Sequence, residues 1–492
     1  MSSFVFSVTL GMKNAKRNLL LFLIISSFSI LYSQPVSVLK TYSKPVLMHY
    51  MPWFNTPEFD GAWGWHWTMN NQNPDIITNP DTGKRQIAAH FYPMIGPYAS
   101  QDPNVIEFHL LLMKYAGVDG VLIDWYGVEG SNGDINSLLN NSNALIDQMD
   151  EVGLSFGLIL EDRFSESISD AQANLAYAKD NYFSNPSFFR YDDAPLVGVF
   201  GPITFQTEDE WNQILPSAGE DLEFLQLWYE KNDVGANSDG EYVWIYEDEN
   251  LDDFEARLNN FYSNRAPNLN TVMGVAYVGF EDFYMEGGAG NGFFTISHNN
   301  GQTLETTLDL ISEYDEHIDL LQLATWNDFG EGTMFEPTWE FGFSFLTQLQ
   351  DFLGVEYGEH EFEQILRLYN LRKEHKNDSN IQSQLDEVFT HFTMLEVEEG
   401  VAIMDEIEGV NSVFGSKNEW EVSIYPNPVS EILTIHGEIT SDAFIEIFNS
   451  LGQKMEVSFE ENSIDFSKFE NGIYWISITS NRGLWTSSII KN

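Results

Sequence analysis

An α/β fold, a (β/α)8 barrel of the TIM type followed by a short helical extension and a small C-terminal β-sandwich, is what this sequence predicts. Three observations predict it. Eight short apolar runs recur between residues 46 and 326, helical patterns lie between them, and a turn-rich segment of short alternating strands closes the chain. The runs are Val46–Tyr50, Gly120–Asp124, Ser155–Glu161, Pro195–Phe200, Phe224–Trp228, Tyr242–Tyr246, Val272–Tyr277 and Leu320–Trp326. Each is apolar on both faces, as strands covered by helices must be. Helical periodicity occupies Asn104–Gly117, Ser137–Gly153, Leu251–Ser263 and Thr303–His317. Between Trp228 and Tyr242 the chain is too short and too polar for a full helix, which leaves a doubly wound open sheet as the alternative.

Two long insertions, Met51–Asp102 and Val278–Gly301, follow the first and seventh strands and are rich in Gly, Asn and aromatic residues. In a barrel they would lie over the C-terminal mouth, where active sites are built. Beyond the barrel, Glu361–His375, Asn380–Gly400 and Val401–Val410 have amphipathic helical patterns suited to bracing it. A linker, "NSVFGSKNEWE", leads to strands separated by the turn segments "PNP", "SLGQ" and "ENG". The expected division is therefore a leader over 1–33, a barrel over 34–355, helices and linker over 356–415, and a sandwich over 416–492.

Charge and composition exclude several classes of partner. Lys and Arg number 23 against 75 Asp and Glu, a net charge of −52 spread along the chain, so nucleic acid and anionic membrane surfaces are poor partners. With no cysteine there is no disulfide and no thiolate metal site. Lys13, Lys16 and Arg17 precede an apolar run from Leu19 to Leu31 and the small residue Ser33, the pattern of a secretory signal peptide rather than a membrane span. No span is then expected once the signal is removed. The histidines show no HExxH or close-spaced ligand pattern, and no acidic stretch fits an EF-hand loop, so neither metal nor cofactor is expected. "GGAGNGFF" follows no strand–helix junction of the phosphate-binding kind and is expected to be a loop.

The strand ends carry the chemistry. His49 and Tyr50, Asp124 and Trp125, Glu161 and Asp162, Trp228, Tyr246 and Glu247, Tyr277, and Trp326 with Asn327 and Asp328 alternate aromatic rings with carboxylates and amides. Sugar faces stack on rings, and their hydroxyls are held by carboxylates and amides, so such a rim suits carbohydrate. Glycosidic hydrolysis needs an acid to protonate the leaving oxygen and a second carboxylate as base or nucleophile. Asp328 and Glu331, three residues apart with Gly330 and Gly332 beside them, can supply both if the glycines let the backbone fold tightly. The surrounding aromatics would desolvate one carboxyl and raise its pKa toward the acid role. On pattern alone a D-x-x-E pair equally suits a helix N-terminus.

The stretch "TWNDFGEGTMFEPT" resembles the signature of glycoside hydrolase families 71 and 99. "HYMPWFNTPEFDG", "HFYPMIGPYASQDPNVIEFHLLLMKYAGVDGVLIDWYG" and "GLILEDRF" resemble further elements in the same order, so the similarity spans about 46–345. It implies a (β/α)8 fold and hydrolysis of α-linked polysaccharide. By the same resemblance Glu331 takes the place of the general acid. Asp328 takes that of a Glu which, in family 99, deprotonates the sugar's own 2-hydroxyl. His49, Tyr50, Trp125, Tyr126, Glu161, Trp326 and Asn327 are expected to hold sugar. Asp328 is one methylene shorter than the family 99 residue, which brings the sequence nearer family 71 at this point. The tail motifs "YPNPVSEILTIHG", "IEIFNSLGQKM" and "IDFSKFENGIYWISI" resemble the type A sorting domain of the type IX secretion system, which implies export through that machinery. Without that resemblance a carbohydrate-binding sandwich would be expected there. The reading is a secreted or surface-attached glycosidase, an endo-α-mannanase; the alternatives are an α-1,3-glucanase and a catalytically silent glycan-binding protein.

Overall fold

The computed structural model describes residues 34–245, 254–409 and most of 423–491. The expected signal peptide, the strand end at Tyr246 with Glu247, and the linker lie outside the described residues. Eight parallel strands close into a barrel: β1 (Val46–Tyr50), β2 (Gly120–Trp125), β3 (Ser155–Leu160), β4 (Ala194–Val199), β5 (Glu223–Leu227), β6 (Gly240–Tyr242), β7 (Thr271–Ala276) and β8 (Leu320–Leu323). Each pairs with the next in sequence, and β8 returns to β1 with Val46 opposite Leu321, so no edge is left open. That closure removes the open-sheet alternative. The last strand is shorter than its apolar run, because the chain leaves the sheet after Leu323 to build the loop described below.

The helix Pro103–Tyr115 starts on an Asp102 cap that accepts the N–H of Asn104, with Pro103 in the first turn. The helices Ile135–Val152 and Gln302–Glu313 fall where periodicity predicts them. Between β5 and β6 only short turns Lys231–Val234 and Gly235–Asn237 form. Two further helices, Ile168–Asn181 and Glu208–Ile214, were not anticipated from the sequence pattern.

After the barrel come Glu359–Glu374, Ser379–Thr393 and Val397–Ile407. The expected single helix over Asn380–Gly400 is broken at Leu395, which has φ 64°. The first of the three lies on Pro103–Tyr115, where Arg372 forks onto Glu107 (Nη2–Oε2 2.8 Å, Nε–Oε1 3.1 Å). Phe362, Ile365, Leu368, Val388, Phe392 and Met404 join the same hydrophobic core as the barrel strands. The extension also holds the N-terminal segment, since Val36 N–H donates to the Thr393 carbonyl at 3.0 Å.

The tail forms two antiparallel sheets. One contains Ser423–Tyr425, Ile432–His436, Phe459–Glu460 and Ser463–Asp465; the other contains Phe444–Asn449, Gly472–Ser480 and Gly483–Lys491. Leu433, Ile435, Ile447, Ile464, Ile476 and Ile489 make their shared core. Among the described residues no helix is long and apolar enough to cross a membrane.

Candidate active site

The C-terminal ends of the strands open into a cavity of about 670 Å³. The barrel gives it His49, Asp124, Tyr126, Glu161, Arg163, Phe200, Trp244, Asp328 and Glu331. The first insertion adds Trp53, Trp65 and His66, and the second adds Tyr284 and Phe293.

The loop after β8 is built to hold its two carboxylates. Thr325 N–H donates to the Thr333 carbonyl at 3.0 Å and their hydroxyls lie 2.9 Å apart, which closes the loop at its base. Thr325 Oγ1 accepts the Asp328 N–H at 2.9 Å, and Asp328 Oδ1 accepts the Glu331 N–H at 3.0 Å. The second insertion docks against the far end. Glu281 and Phe283 N–H donate to the carbonyls of Glu331 and Gly330, each at 2.8 Å, and His298 Nε2 lies 2.7 Å from the Gly332 carbonyl. Only Gly332 has a positive φ (67°), and a Cβ there would sit 2.7 Å from the Glu281 carbonyl. Gly330 does a different job, since a Cβ at that position would crowd Asp328 Oδ1 at 3.3 Å.

Glu331 is half-buried, and the Tyr284 hydroxyl donates to its Oε1 at 2.9 Å. Asp328 is buried, and burial pushes its carboxyl up to about 7, opposed by the N–H groups of Glu331 and Gly330. The raised carboxyl is thus the one the sequence assigns as base, a pKa suited to a base working near neutrality. No salt bridge to Asp328 occurs among the described residues.

A second carboxylate pair lies in the same cavity. Arg163 forks onto Glu161, with Nε–Oε2 2.5 Å and Nη2–Oε1 3.0 Å. Asp124 is buried, and burial together with the neighbouring Glu161 charge holds its carboxyl well above the usual range. Asp162 points away from this chemistry. Its carboxylate accepts the N–H groups of Ile203, Thr204 and Phe205 at 2.8–3.1 Å and so fastens the loop after β4.

His49 is buried and neutral, burial pushing it down to about 4. The Gln322 amide fixes its tautomer. Gln322 Nε2 donates to the Val243 carbonyl at 2.8 Å, so its Oε1, 3.3 Å from His49 Nδ1, must accept. Nδ1 therefore carries the proton, and Nε2 is left as an acceptor. Among the aromatics, Trp53 stacks on His66 with centroids 3.9 Å apart and planes at 6°, and Trp65 is 40% exposed, free to stack on a sugar face.

Of the residues expected to hold sugar, His49, Tyr126 and Glu161 line the cavity. The other four do not line it. The Tyr50 hydroxyl is 3.1 Å from His109 Nδ1, in the layer between barrel and helix. Trp125 packs against Tyr177, in the helix Ile168–Asn181, and Tyr182, which caps it. Trp326 is fully buried with its ring 5.3 Å from His109. Asn327 clasps Met51, accepting its N–H at 2.9 Å and donating to its carbonyl at 3.1 Å, and donates also to the Tyr98 hydroxyl. Glu336, from the same stretch, accepts the Tyr98 O–H at 2.6 Å and lies 3.4 Å from His109 Nε2. These residues support the loop from beneath. Conversely Trp53, Trp65, Tyr284, Phe293 and Arg163 were not singled out from the sequence; the length of the two insertions was the available signal for the first four.

A closed parallel barrel with carboxylates and rings converging at its C-terminal mouth defines the class, a TIM-barrel glycoside hydrolase domain. Comparison with known proteins gives a resemblance to one family. Residues 41–268 match Glycosyl hydrolase family 99, and residues 423–492 match a Secretion system C-terminal sorting domain. The first part of the chain is thus similar to family 99, and its C-terminal part to a sorting domain. The family match ends before the loop that carries Asp328 and Glu331. Relatives include a glycoprotein endo-alpha-1,2-mannosidase of Xenopus laevis, 27% identical over 184 residues (35% of this chain, 40% of that protein). The Mus musculus protein of that name is 23% identical over 320 residues (58% and 66%). The chain thus spans less than two thirds of the length of these curated relatives. The fold is similar to that of the GH99 endo-alpha-mannosidase from Bacteroides thetaiotaomicron, with TM-score 0.51 at 19% identity over 66% of this chain and 99% of that one.

Proposed function

We propose that this protein is an exported endo-acting α-mannanase, with Glu331 as general acid and Asp328 as the base that deprotonates the substrate's own 2-hydroxyl. The observation that carries the reading is the Asp328–Glu331 loop itself. It holds one buried carboxyl poised near neutrality and one half-buried carboxylate hydrogen-bonded to Tyr284, both lining one cavity. The endo-alpha-mannosidase names of the relatives support mannose over other sugars. The sorting tail supports passage to the medium or the cell surface through type IX secretion, with polysaccharide as the substrate and the secretion machinery as the partner. Residues 34–355 are taken as the catalytic domain, 356–415 as its helical extension with the linker, and 416–492 as the sorting domain.

Stereochemistry explains the pairing of roles. In an α-mannoside O2 and the leaving oxygen are both axial and anti. Asp328 removes the O2 proton, O2 attacks C1 to close a 1,2-anhydro ring, and Glu331 protonates the departing oxygen. Water then opens the ring at C1, giving its proton to Glu331 while Asp328 returns its own to O2, with net retention. An α-glucoside has O2 equatorial and cis to the leaving group, so the same carboxylates would have to direct water and invert the centre. The short side chain of Asp328, which leaves more room for water than Glu would, is what favours that second reading, an α-1,3-glucanase.

Proton NMR of the first-formed product separates the two. Retained α anomer from an α-mannan is the expected result; β anomer from an α-glucan would overturn the 2-hydroxyl route. Glu331→Gln should bind mannan yet lose about a hundred- to ten-thousand-fold in rate. Its loss should be smaller on an aryl mannoside, whose leaving group needs no proton.

A further inference from the structure

We propose that Arg163 is a specificity-determining residue, one that turns the Asp124–Glu161 pair into a receptor for two adjacent free hydroxyls of a neutral sugar unit. The inference rests on the glycosidase reading above and deepens it. Two nitrogens of the guanidinium, Nε and Nη2, are spent on Glu161, while Nη1 has no hydrogen-bond partner among the described residues. The group lies over the rings of Phe200 and Phe164, with Cζ 5.4 and 5.6 Å from their centroids, so its plane is set before any ligand arrives. The turn beneath it is pinned as well, because the next carboxylate back, Asp162, is fastened to the loop after β4. Asp124, 2% exposed, lies beside Glu161 and adds an Oδ2 that is buried with no other partner among the described residues.

Side by side, then, stand a donor (Nη1), acceptors (the outer lone pairs of Glu161) and an unmatched carboxyl oxygen (Asp124 Oδ2). That sequence of donor and acceptor fits neighbouring hydroxyls, each of which both gives and receives a hydrogen bond. It does not fit an anion. Arg163 is the one cationic side chain lining the cavity among the described residues, its charge is already matched by Glu161, and Asp124, Asp134, Asp328 and Glu331 share the same walls. A sulfate ester or a uronate at this place would meet carboxylates with no free cation to receive it.

Monodeoxy analogues of an α-mannotetraoside, assayed with the full-length protein and with Arg163→Met and Arg163→Lys, test the proposal. Arg163→Met should raise KM about ten- to a hundredfold, the worth of a hydrogen bond to a charged group, with the loss falling on KM rather than kcat. Lysine should not rescue it, because a single ammonium cannot hold Glu161 by two bonds and reach a hydroxyl as well. One deoxy substrate should cost the native protein a similar factor and cost the Met variant almost nothing. Equal deoxy penalties in the native and Met proteins would overturn the proposal, as would tighter binding of a substrate sulfated at that hydroxyl. Should Arg163→Met fail to fold, the same comparison with Arg163→Lys decides. Affinity of the Glu331→Gln protein for the same series keeps the two readings apart. Absent mannan hydrolysis with deoxy-sensitive, Arg163-dependent binding would sink the mannanase reading alone. Hydrolysis with Arg163-independent binding would sink this one alone.

Discussion

Two strand ends on the same cavity hold paired carboxylates in opposite ways. At β3, Glu161 is gripped by the Arg163 fork and Asp124 lies against it, so charge is matched within the group. After β8, Asp328 has backbone N–H groups for partners and no guanidinium among the described residues. Burial pushes it up to about 7, as burial also raises Asp124 and Glu161, so the two pairs differ in their partners and not in the direction of the shift. A carboxylate forked onto a guanidinium has its oxygens fixed in place and makes a dependable hydrogen-bonding wall. A buried one held only by amides sits near its titration point at neutral pH, which is what proton transfer requires. In the proposed function this difference, and not residue type, divides recognition from chemistry, since both sites use Asp and Glu.

The sharpest way to break that contrast is to neutralise each side. Asp328→Asn should lower kcat about a hundred- to ten-thousand-fold with KM little moved. Glu161→Gln should do the reverse, raising KM about tenfold through a weakened charged hydrogen bond while kcat falls less. Matching losses in kcat from both variants would dissolve the distinction. A smaller effect sharpens it. Asp328 must be ionised to act as base, so kcat/KM should fall on the acid side of about pH 7, and this limb should vanish in Asp328→Asn.

Stability should move the other way. The folded carboxyl keeps its proton to about pH 7, whereas the unfolded one releases it near the ordinary value of about 4. Between those values the unfolded chain binds fewer protons, so stability declines as pH rises through the window. Asp328→Asn removes that decline and should gain on the order of 1–4 kcal/mol at pH 8, read by urea unfolding at pH 4 and pH 8. The asparagine keeps an Oδ1 to accept the Glu331 N–H.

The strands were legible because a barrel strand is buried on both faces, and an unbroken apolar run carries that fact directly. The side on which each strand-end residue falls was not legible in the same way. Neighbours along a strand alternate between the lumen and the helix layer. His49, Asp124 and Tyr126 face inward, and so Tyr50 and Trp125 face the helices. An assignment by position at the end of a run merges the two sides. Trp326 and Asn327 lie off the cavity for another reason, since β8 stops at Leu323 and the residues after it turn back into the core. The ring-bearing walls from Trp65, Tyr284 and Phe293 come from insertions whose course is set by contacts far along the chain, such as Phe283 N–H to the Gly330 carbonyl.

The clasp between the first and last parts of the barrel region bears on how the chain reaches this state. Val36 N–H meets the Thr393 carbonyl, Thr41 and Tyr42 N–H both meet the Leu353 carbonyl, and Tyr115 O–H donates to the Phe392 carbonyl. The bonds to Leu353 wait for the end of the barrel region, and those to Phe392 and Thr393 wait until the extension helices have left the ribosome. With β8 pairing onto β1 as well, the entropy of closing the largest loops must be met before their contacts give anything back. Folding should therefore be slow and late, committed only once residues near 393 are in place. A chain ended at residue 355 would keep β1 paired to both β2 and β8 and, of the clasp, would lose only the contacts of Val36 with Thr393 and of Tyr115 with Phe392. With those contacts part of the committing step, their loss should slow folding more than it speeds unfolding.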